Sequence, residues 1–561
     1  MKTAESGFAL LLAAIVTTTA ACGGGSGSGG PAPAPDTDPP EVQVGERLFL
    51  EGRFAQFYFA NSGGDINSTL TSGDPVMNTT QTTGDPLPGP FCGESMNCRA
   101  CHLVDELQNY PQGGVRTYGD FARHSPIPGR DDGILITPRN SPPLVDATLE
   151  RDIPVLFHFD GEFPSIEDLV AGTMTGRNFG WLSTEGETAL GHIAAVIRND
   201  NGNNALAKSF GGGGVPYATL FLGTDPAIPA HLRLPEQYRI DVATASDSQV
   251  LQAVAAVVGA YVDSLRFSMD DDGRFNGSPY DLFLKKNGLP CAPDPGESNS
   301  DYSRRLLGLI NQLSDPVFVT LSDGKFKFHP GVPFQFGAAE LQGLKVFFTP
   351  AAAEGQHHSG NCVACHVAPA FTDFGLHNTG ASQVEYDGIF GDGAFAAISV
   401  PDLATRNANF DAYLPPSPSH PDATSRFRTP ASLSLPGYTD LGAWNVVGNP
   451  DLPDPQDNLS AVLCGQFNLT GPDCKAAALL PLSIAYFKTP TVRDLGQSNP
   501  YLHTGAMDTI EDVVNFYVRV AGLAHDGQLR NASKELSKMF IDASDVAPLT
   551  AFLNALNEDY N

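Results

Sequence analysis

Twice in this 561-residue chain, two cysteines stand two residues apart with a histidine directly after the second: "CRACH" at residues 98–102 and "CVACH" at 362–366. This doubled motif constrains the fold more tightly than any composition value. Thiols at that spacing add to the two vinyl groups of a haem while the histidine takes the iron from one side, so each copy reads as an attachment site for covalent haem c. A structural zinc site would want a second cysteine pair or paired histidines at matching spacing, and a thioredoxin-like redox pair would want a βαβ setting; the sequence offers neither. The motifs therefore predict two haems on Cys98, Cys101, Cys362 and Cys365, with His102 and His366 as proximal ligands.

The N-terminus reads as an export signal, with Lys2, an apolar run over residues 8–16 and small residues ending at Cys22. The segment "TAAC" (residues 19–22) is similar to a bacterial lipobox. Residues 1–21 are then a lipoprotein-type signal peptide and Cys22 the lipidated first residue, the alternative being an ordinary signal peptide with an incidental cysteine. Residues 22–40, Gly/Ser-rich and then Pro-rich, cannot bury a core and form a tether. The expected location is outside the cytoplasm, on a lipid anchor facing the periplasm or the cell surface. An oxidising compartment requires the remaining cysteines to be accounted for. Cys92, Cys291, Cys464 and Cys474 permit three pairings; the short Gly/Pro/Asn-containing loop between Cys464 and Cys474 favours that pair, which leaves Cys92 with Cys291. Acidic residues outnumber basic ones 63 to 33, a formal charge of −30 that speaks against nucleic acid and for a small cationic or neutral protein partner.

The flanks of the motifs repeat as well. "GERLFL" (45–50) precedes the first and "GLKVFF" (343–348) the second; "FDGEFPSIEDLV" (159–170) follows the first and "HTGAMDTIEDVV" (503–514) the second, with Gly, Ile-Glu-Asp and the last Val at equal offsets. Two related haem units are the simplest source of that pattern. The expected fold class is mainly α: two cytochrome c-type haem domains with long loops and insertions. The N-terminal haem domain covers 41–286, a crossing segment 287–333, the C-terminal haem domain 334–525 and a helical tail 526–561. Residues 246–267, 336–348 and the tail have helical periodicity with polar starts. With 45 prolines and 58 glycines, the rest is expected to be long loops with few strands, and polar Gly-rich stretches near 61–90 and 380–455 read as insertions.

Several further segments, "PRNSP" (138–142), "FDG" (159–161), "FTDFGLHNTG" (371–380) and "FKTPTVRDLGQSNPYLHTGAMDTIEDVVNFY" (487–517), join the two motifs in a resemblance to the bacterial di-haem cytochrome c peroxidases and the related enzyme MauG. It covers most of the chain beyond residue 41. The resemblance implies a haem oxidoreductase in which H2O2 meets the N-terminal haem and electrons pass through the C-terminal one from a small redox protein. It also implies a Ca2+ ion between the domains, held by the Asn140 side chain and the carbonyls of Ser498 and Pro500. Arg493 falls where the family contacts the haem propionates, and His377 in an element packed near the second haem; His503 and Phe159 belong to the surroundings of the haems.

The sixth position of the second iron falls on Tyr517, where the peroxidases place methionine and MauG places tyrosine. It stands fourteen residues after His503, and the same offset after Phe159 gives Thr173, which is no haem ligand; the competing reading is a core-packed tyrosine with a different ligand, Met507 being the substitute at hand. The helix carrying Tyr517 is expected to start on an Asp508/Glu511 capping pattern and to turn Ile510, Val513, Val514 and Tyr517 to one apolar face. His124 is the candidate for a reversible cap on the first iron, a solvated loop histidine being the competing reading. His357 and His358 are expected to be exposed. Two departures from the family stand out. Phe159 occupies the place of a tryptophan that relays electrons between haems, with Trp181 and Trp444 as the chain's two tryptophans. The family's acid/base glutamate has no evident counterpart, Glu185 being the nearest candidate.

Three functions compete at this point: a peroxide-dependent haem oxidoreductase, a pure electron-transfer cytochrome with both irons six-coordinate, and a di-haem oxygenase resembling the extracellular rubber oxygenases.

Overall fold

Gly45 and Gly343 show how the chain is built. In the computed structural model, which describes residues 38–69, 97–102, 127–210, 213–324, 333–350 and 357–558, each of these glycines lies where two helices cross. Helix α1 (Pro40–Phe49) crosses a helix over Asp247–Ser264, and a helix over Ala338–Phe348 crosses one over Ala543–Asn554. A Cβ on Gly45 would collide with the Val257 carbonyl oxygen, and one on Gly343 with that of Pro548. Only a residue without a side chain lets the backbones approach so closely. Four residues further along both partners, aromatic rings close the crossing: Phe49 on Tyr261 at 5.1 Å and Phe347 on Phe552 at 5.2 Å. The same crossing is made twice.

A third helix completes each unit. Helix α2 (Ile166–Met174) packs on the 247–264 helix, labelled α3, and the helix over Ile510–His525 on the 543–554 helix. With α4 (Pro279–Lys286), α5 (Asn299–Ile310), α6 (Ala338–Phe348), α7 (Ala381–Phe390) and α8 (Gln456–Phe467) intervening, these last two are α9 and α10. Both α2 and α9 follow a tight antiparallel turn, Phe157 bridged to Phe163 and Tyr501 to Met507, with φ of 60° at His158 and 68° at Leu502. Ser165 caps α2 by accepting from the Asp168 amide, and Thr509 caps α9 by accepting from the Asp512 amide. The start of α9 thus lies one residue beyond the expected Asp508/Glu511 pattern, because the extended Thr509 puts its hydroxyl within reach of the third amide of the helix.

Among the described residues three large hydrophobic cores follow from this plan, with a smaller cluster round Phe516, Val520 and Met539. The first gathers α1, α2 and α3 around Val44, Leu48, Trp181 and Val254, with Cys98 and Cys101 packed against it. The second lies round Cys362 and draws on Tyr280 of α4, Tyr302 of α5, Phe347 of α6 and Phe552 of α10. Segments that the sequence assigns to the first domain, the crossing segment and the tail all meet there. The third core belongs mostly to residues 376–487, with Phe410, Phe427, Leu441, Trp444 and Leu463 buried. The 380–455 stretch is therefore a folded layer. Its apolar residues are spaced irregularly among Gly/Pro turns, so no helical or strand period announces them. It leaves and returns at one point, where β1 (Leu376–His377) pairs antiparallel with β2 (Phe487–Lys488). The Cys464–Cys474 disulfide ties α8 to the loop after it. Cys291 is a free, half-buried thiol; Cys22, Cys92 and His124 lie outside the described residues. Among those described, no helix is long and apolar enough to cross a membrane.

Candidate haem sites and the junction between them

Each motif begins as a 3-10 turn, Cys98–Ala100 and Cys362–Ala364. The backbone N–H of the histidine then donates to the carbonyl of the first cysteine, at 2.9 Å for His102 and 2.8 Å for His366. Two thiols and an imidazole thus come from one short loop in each unit. The Nδ1 of His366 lies 3.1 Å from the Phe371 carbonyl oxygen, and since a carbonyl only accepts, Nδ1 carries the proton and Nε2 keeps its lone pair for a metal. The Pro490 carbonyl also acts on the His366 ring, as the Pro142 carbonyl does on that of His102, each favouring the protonated imidazole.

Those two prolines expose a repeated block that the sequence reading missed. In "RNSPPLVD" (139–146) and "FKTPTVRD" (487–494) the fourth residue is Pro and the eighth Asp. Asp146 and Asp494 are both buried, with φ of 58° and 55°. Asp146 donates its N–H to Leu265 and accepts from Phe267; Asp494 does the same with Leu556 and Glu558. The shared Ser/Thr-Pro step and the Asp four residues on were the available signal.

Charge states suit haem attachment better than a thiolate metal site. Burial pushes the Cys98 and Cys362 thiols up to about 12, away from the reactive thiolate range. Burial, helped by His158, pushes the His102 imidazole down to about 4, and burial also lowers His366, so both rings are neutral donors. Tyr517 is half-buried on α9. Its phenol is pushed above its ordinary range by burial first and then by Cys365 and Cys362, which puts the hydroxyl in the field of the second motif. His377 bonds Asp373 at 2.9 Å and reaches Cys365, so it too packs at that motif. A neutral Nε2, a protonated thiol pair and, at the second site, a phenol fit a covalently held haem.

Between the units lies an aromatic and ionic junction. The His503 ring stacks on Phe487 at 3.5 Å and meets Phe159 at 6.3 Å, while its Nε2 stands 3.3 Å from the Ser382 hydroxyl. Beneath these rings, Arg139 pairs with Asp160 at 2.6 Å and, through two nitrogens, with Asp440. Arg428 pairs with Glu162 at 2.6 Å, and His158 with Glu162 at 3.0 Å. His158, Asp160 and Glu162 come close enough together to suggest a metal, but two guanidinium groups already neutralise the carboxylates. On the same boundary the Asn140 carboxamide lies 2.5 Å from the Pro500 carbonyl oxygen and 3.2 Å from that of Leu502, and the Asn140 N–H donates to the His503 carbonyl. Ser498 turns its hydroxyl to the Leu495 carbonyl. Asn140 and Pro500 are thus brought together from the two units.

No protein-family model matches the chain. Over 202 residues it is 26% identical to the cytochrome-c peroxidase IdrP2 of Denitromonas iodatirespirans, an alignment that covers 35% of this chain and 36% of that relative. Over that stretch the chain is similar to a bacterial cytochrome-c peroxidase. The alignment spans little more than a third of that peroxidase's length. A MauG-like protein associated with microbial copper homeostasis superposes with a TM-score of 0.42 at 15% identity, covering 93% of this chain and 91% of that one. The di-haem peroxidase BthA of Burkholderia thailandensis gives 0.42 and 15%, covering 93% and 86%.

Two residues assigned by likeness to the cytochrome-c peroxidases do something else here. Glu185 gives both carboxylate oxygens to Arg130, at 2.7 and 2.8 Å, and accepts the Leu182 N–H. The Arg130 hydrogen bonds hold its carboxyl below the usual range, so it is unsuited to donate a proton. Arg493 is 1% exposed and spends three N–H groups on Asp281 and the Pro369 carbonyl, at 2.9 to 3.0 Å. It ties α4 to the loop behind His366 instead of offering a free fork to a propionate. Trp181 is bonded to the Phe54 carbonyl in the first core, and Trp444 packs edge-on to Phe427 in the third. His357 and His358 are exposed, paired with Asp542 and Asp545.

Proposed function

We propose that the protein is an exported di-haem c-type oxidoreductase that reacts with H2O2 at the N-terminal site and passes electrons through the C-terminal one. The observation that carries this reading is the inequality of two otherwise repeated sites. Tyr517 stands in the field of Cys362 and Cys365, while the matching place on α2 is Thr173, which has no donor suited to iron. Haem supplies peroxide cleavage where its iron is open on one side and electron storage where it is closed on both. The chain's part is to hold His102 and His366 as neutral donors, His366 oriented by the Phe371 carbonyl, to bring Tyr517 to the second site, and to pack both motifs against hydrophobic cores. The named cytochrome-c peroxidase relative supports the same class of reaction.

The net charge of −30 suits a small cationic or neutral redox protein as the electron donor. The leader with Cys22 suits a lipid-anchored protein facing the periplasm or cell surface. Asn140, whose Nδ2 donates to the Pro500 carbonyl, would hold one Ca2+ with its carboxamide turned over so that Oδ1 faces that carbonyl, Ser498 contributing its own carbonyl.

A pyridine haemochrome assay should find two haems that resist acid extraction. Titration with H2O2, followed optically and by EPR, should change the N-terminal haem first. Both irons remaining low-spin and inert to peroxide would overturn the proposal in favour of an electron-transfer cytochrome. Exhaustive chelation should release one Ca2+ per chain and alter the peroxide response; elemental analysis showing no metal would remove the calcium assignment.

A further inference from the structure

A cavity of about 440 Å³ opens beside the second site. Val384, Glu385 and Ile389 of α7 form one wall, Met507 and Phe516 another, and Ala431 of the third core's layer closes it. Leu502 and Thr504, also at its edge, are the neighbours of His503, and the Phe516 ring stands 5.4 Å from that of Tyr517. The cavity is therefore one side chain away from both the second haem site and the aromatic junction. Its walls are apolar and aromatic, with one carboxylate, Glu385, whose Oε2 also accepts the Ala431 N–H at 3.3 Å.

We infer that this cavity binds a small neutral aromatic molecule bearing one hydrogen-bond donor, of the phenol class, as a direct electron donor to the second site. The inference rests on the proposed peroxide chemistry and adds a small-molecule reductant beside the proposed redox protein. The volume lies in the range of small-ligand sites and suits a single substituted ring. Phe516 and the Met507 thioether offer faces that favour an aromatic partner. Glu385 accepts from an O–H, and together with the overall charge of −30 it turns away anions. In the oxidation step one electron leaves the ring for the second site past Phe516 and Tyr517, the O–H bond breaks, its proton passes to Glu385, and a phenoxyl radical is left. Two such events supply the two electrons and two protons with which one H2O2 becomes two waters.

The test uses the full-length, two-haem protein and 4-methylphenol as probe. Calorimetry should show one saturable site, and Ala506→Phe, at the exposed mouth of the cavity, should weaken binding at least tenfold. In the same variant, peroxide should still change the haem spectrum as in the parent, while peroxide-dependent oxidation of the probe falls at least tenfold. Absent binding to the parent, or equal binding to parent and variant, overturns the site. Lost binding with an unchanged oxidation rate overturns the role as electron donor. Intact binding with a haem spectrum that never responds to H2O2 overturns the peroxide reading and leaves the site standing.

Discussion

Tyr517 shows how far a single position can be read from sequence. Its offset of fourteen residues from His503 marked it as a candidate for the second site; its phenol is shifted upward by burial and, less, by Cys365 and Cys362, and it packs against the apolar cluster of Phe516, Val520 and Met539. A phenolate oxygen favours ferric iron, so replacing it shifts the ligand field and the potential together. Tyr517→Phe should change the low-spin ferric EPR signal of the His366 haem and raise its potential, leaving the other haem's signal as it was. An unchanged spectrum would remove Tyr517 as a ligand. Glu185 was not legible in this way: a carboxylate at roughly the right distance along the chain says nothing about who meets it, and Arg130 meets it first. Arg493 failed for the same reason, its partner Asp281 lying 212 residues away.

At the scale of elements, the duplicated crossing was half visible. Gly45 and Gly343 stood out in the repeat, but their partners Val257 and Pro548 lie in helices without obvious sequence likeness, so the reason for the glycines appeared only in space. Gly343→Ala should destabilise the second unit by roughly 2 kcal/mol or more, since the new methyl must push two backbones apart. Thermal unfolding followed through the absorption of each haem checks this: the second haem should lose its native ligand-field spectrum at a lower temperature than the first while staying attached, and a variant with parental stability would show that the helices separate freely.

A second element-level device joins the motif loop to the start of α10, where His358 bonds Asp545 at 2.7 Å. That hydrogen bond raises the His358 pKa above its ordinary value. The contribution to stability is therefore complete below about pH 6.5, the unfolded value, and is lost as pH rises through the folded value. A small fall in melting temperature between mildly acidic and mildly alkaline pH should be present in the parent and reduced in His358→Gln. Identical pH profiles would rule the latch out.

For the molecule as a whole, the layer built from residues 376–487 was the least legible part, because its core is made of scattered apolar residues whose partners come from distant turns. It nevertheless decides how the two haem units meet. Arg139, from the first unit, is 7% exposed and holds Asp160 of that unit and Asp440 of the layer at once; Arg428 of the layer reaches back to Glu162. These charges lie under the Phe487–His503–Phe159 rings, so the same contacts that fix the units also fix the aromatic junction where the family's tryptophan is absent. Burying such ions is costly, and a buried pair loses far more when one partner is removed than the pair contributes. Asp440→Asn keeps the volume and removes the charge, leaving Arg139 with one carboxylate for its buried guanidinium. It should cost about 3–5 kcal/mol in denaturant unfolding. Because Asp440 belongs to the layer and Arg139 to the first unit, the variant should also slow electron exchange between the two haems after a single reducing equivalent is added. A variant as stable as the parent, with unchanged exchange, would show that the layer only rests on the junction and that the spacing of the haem units is set elsewhere.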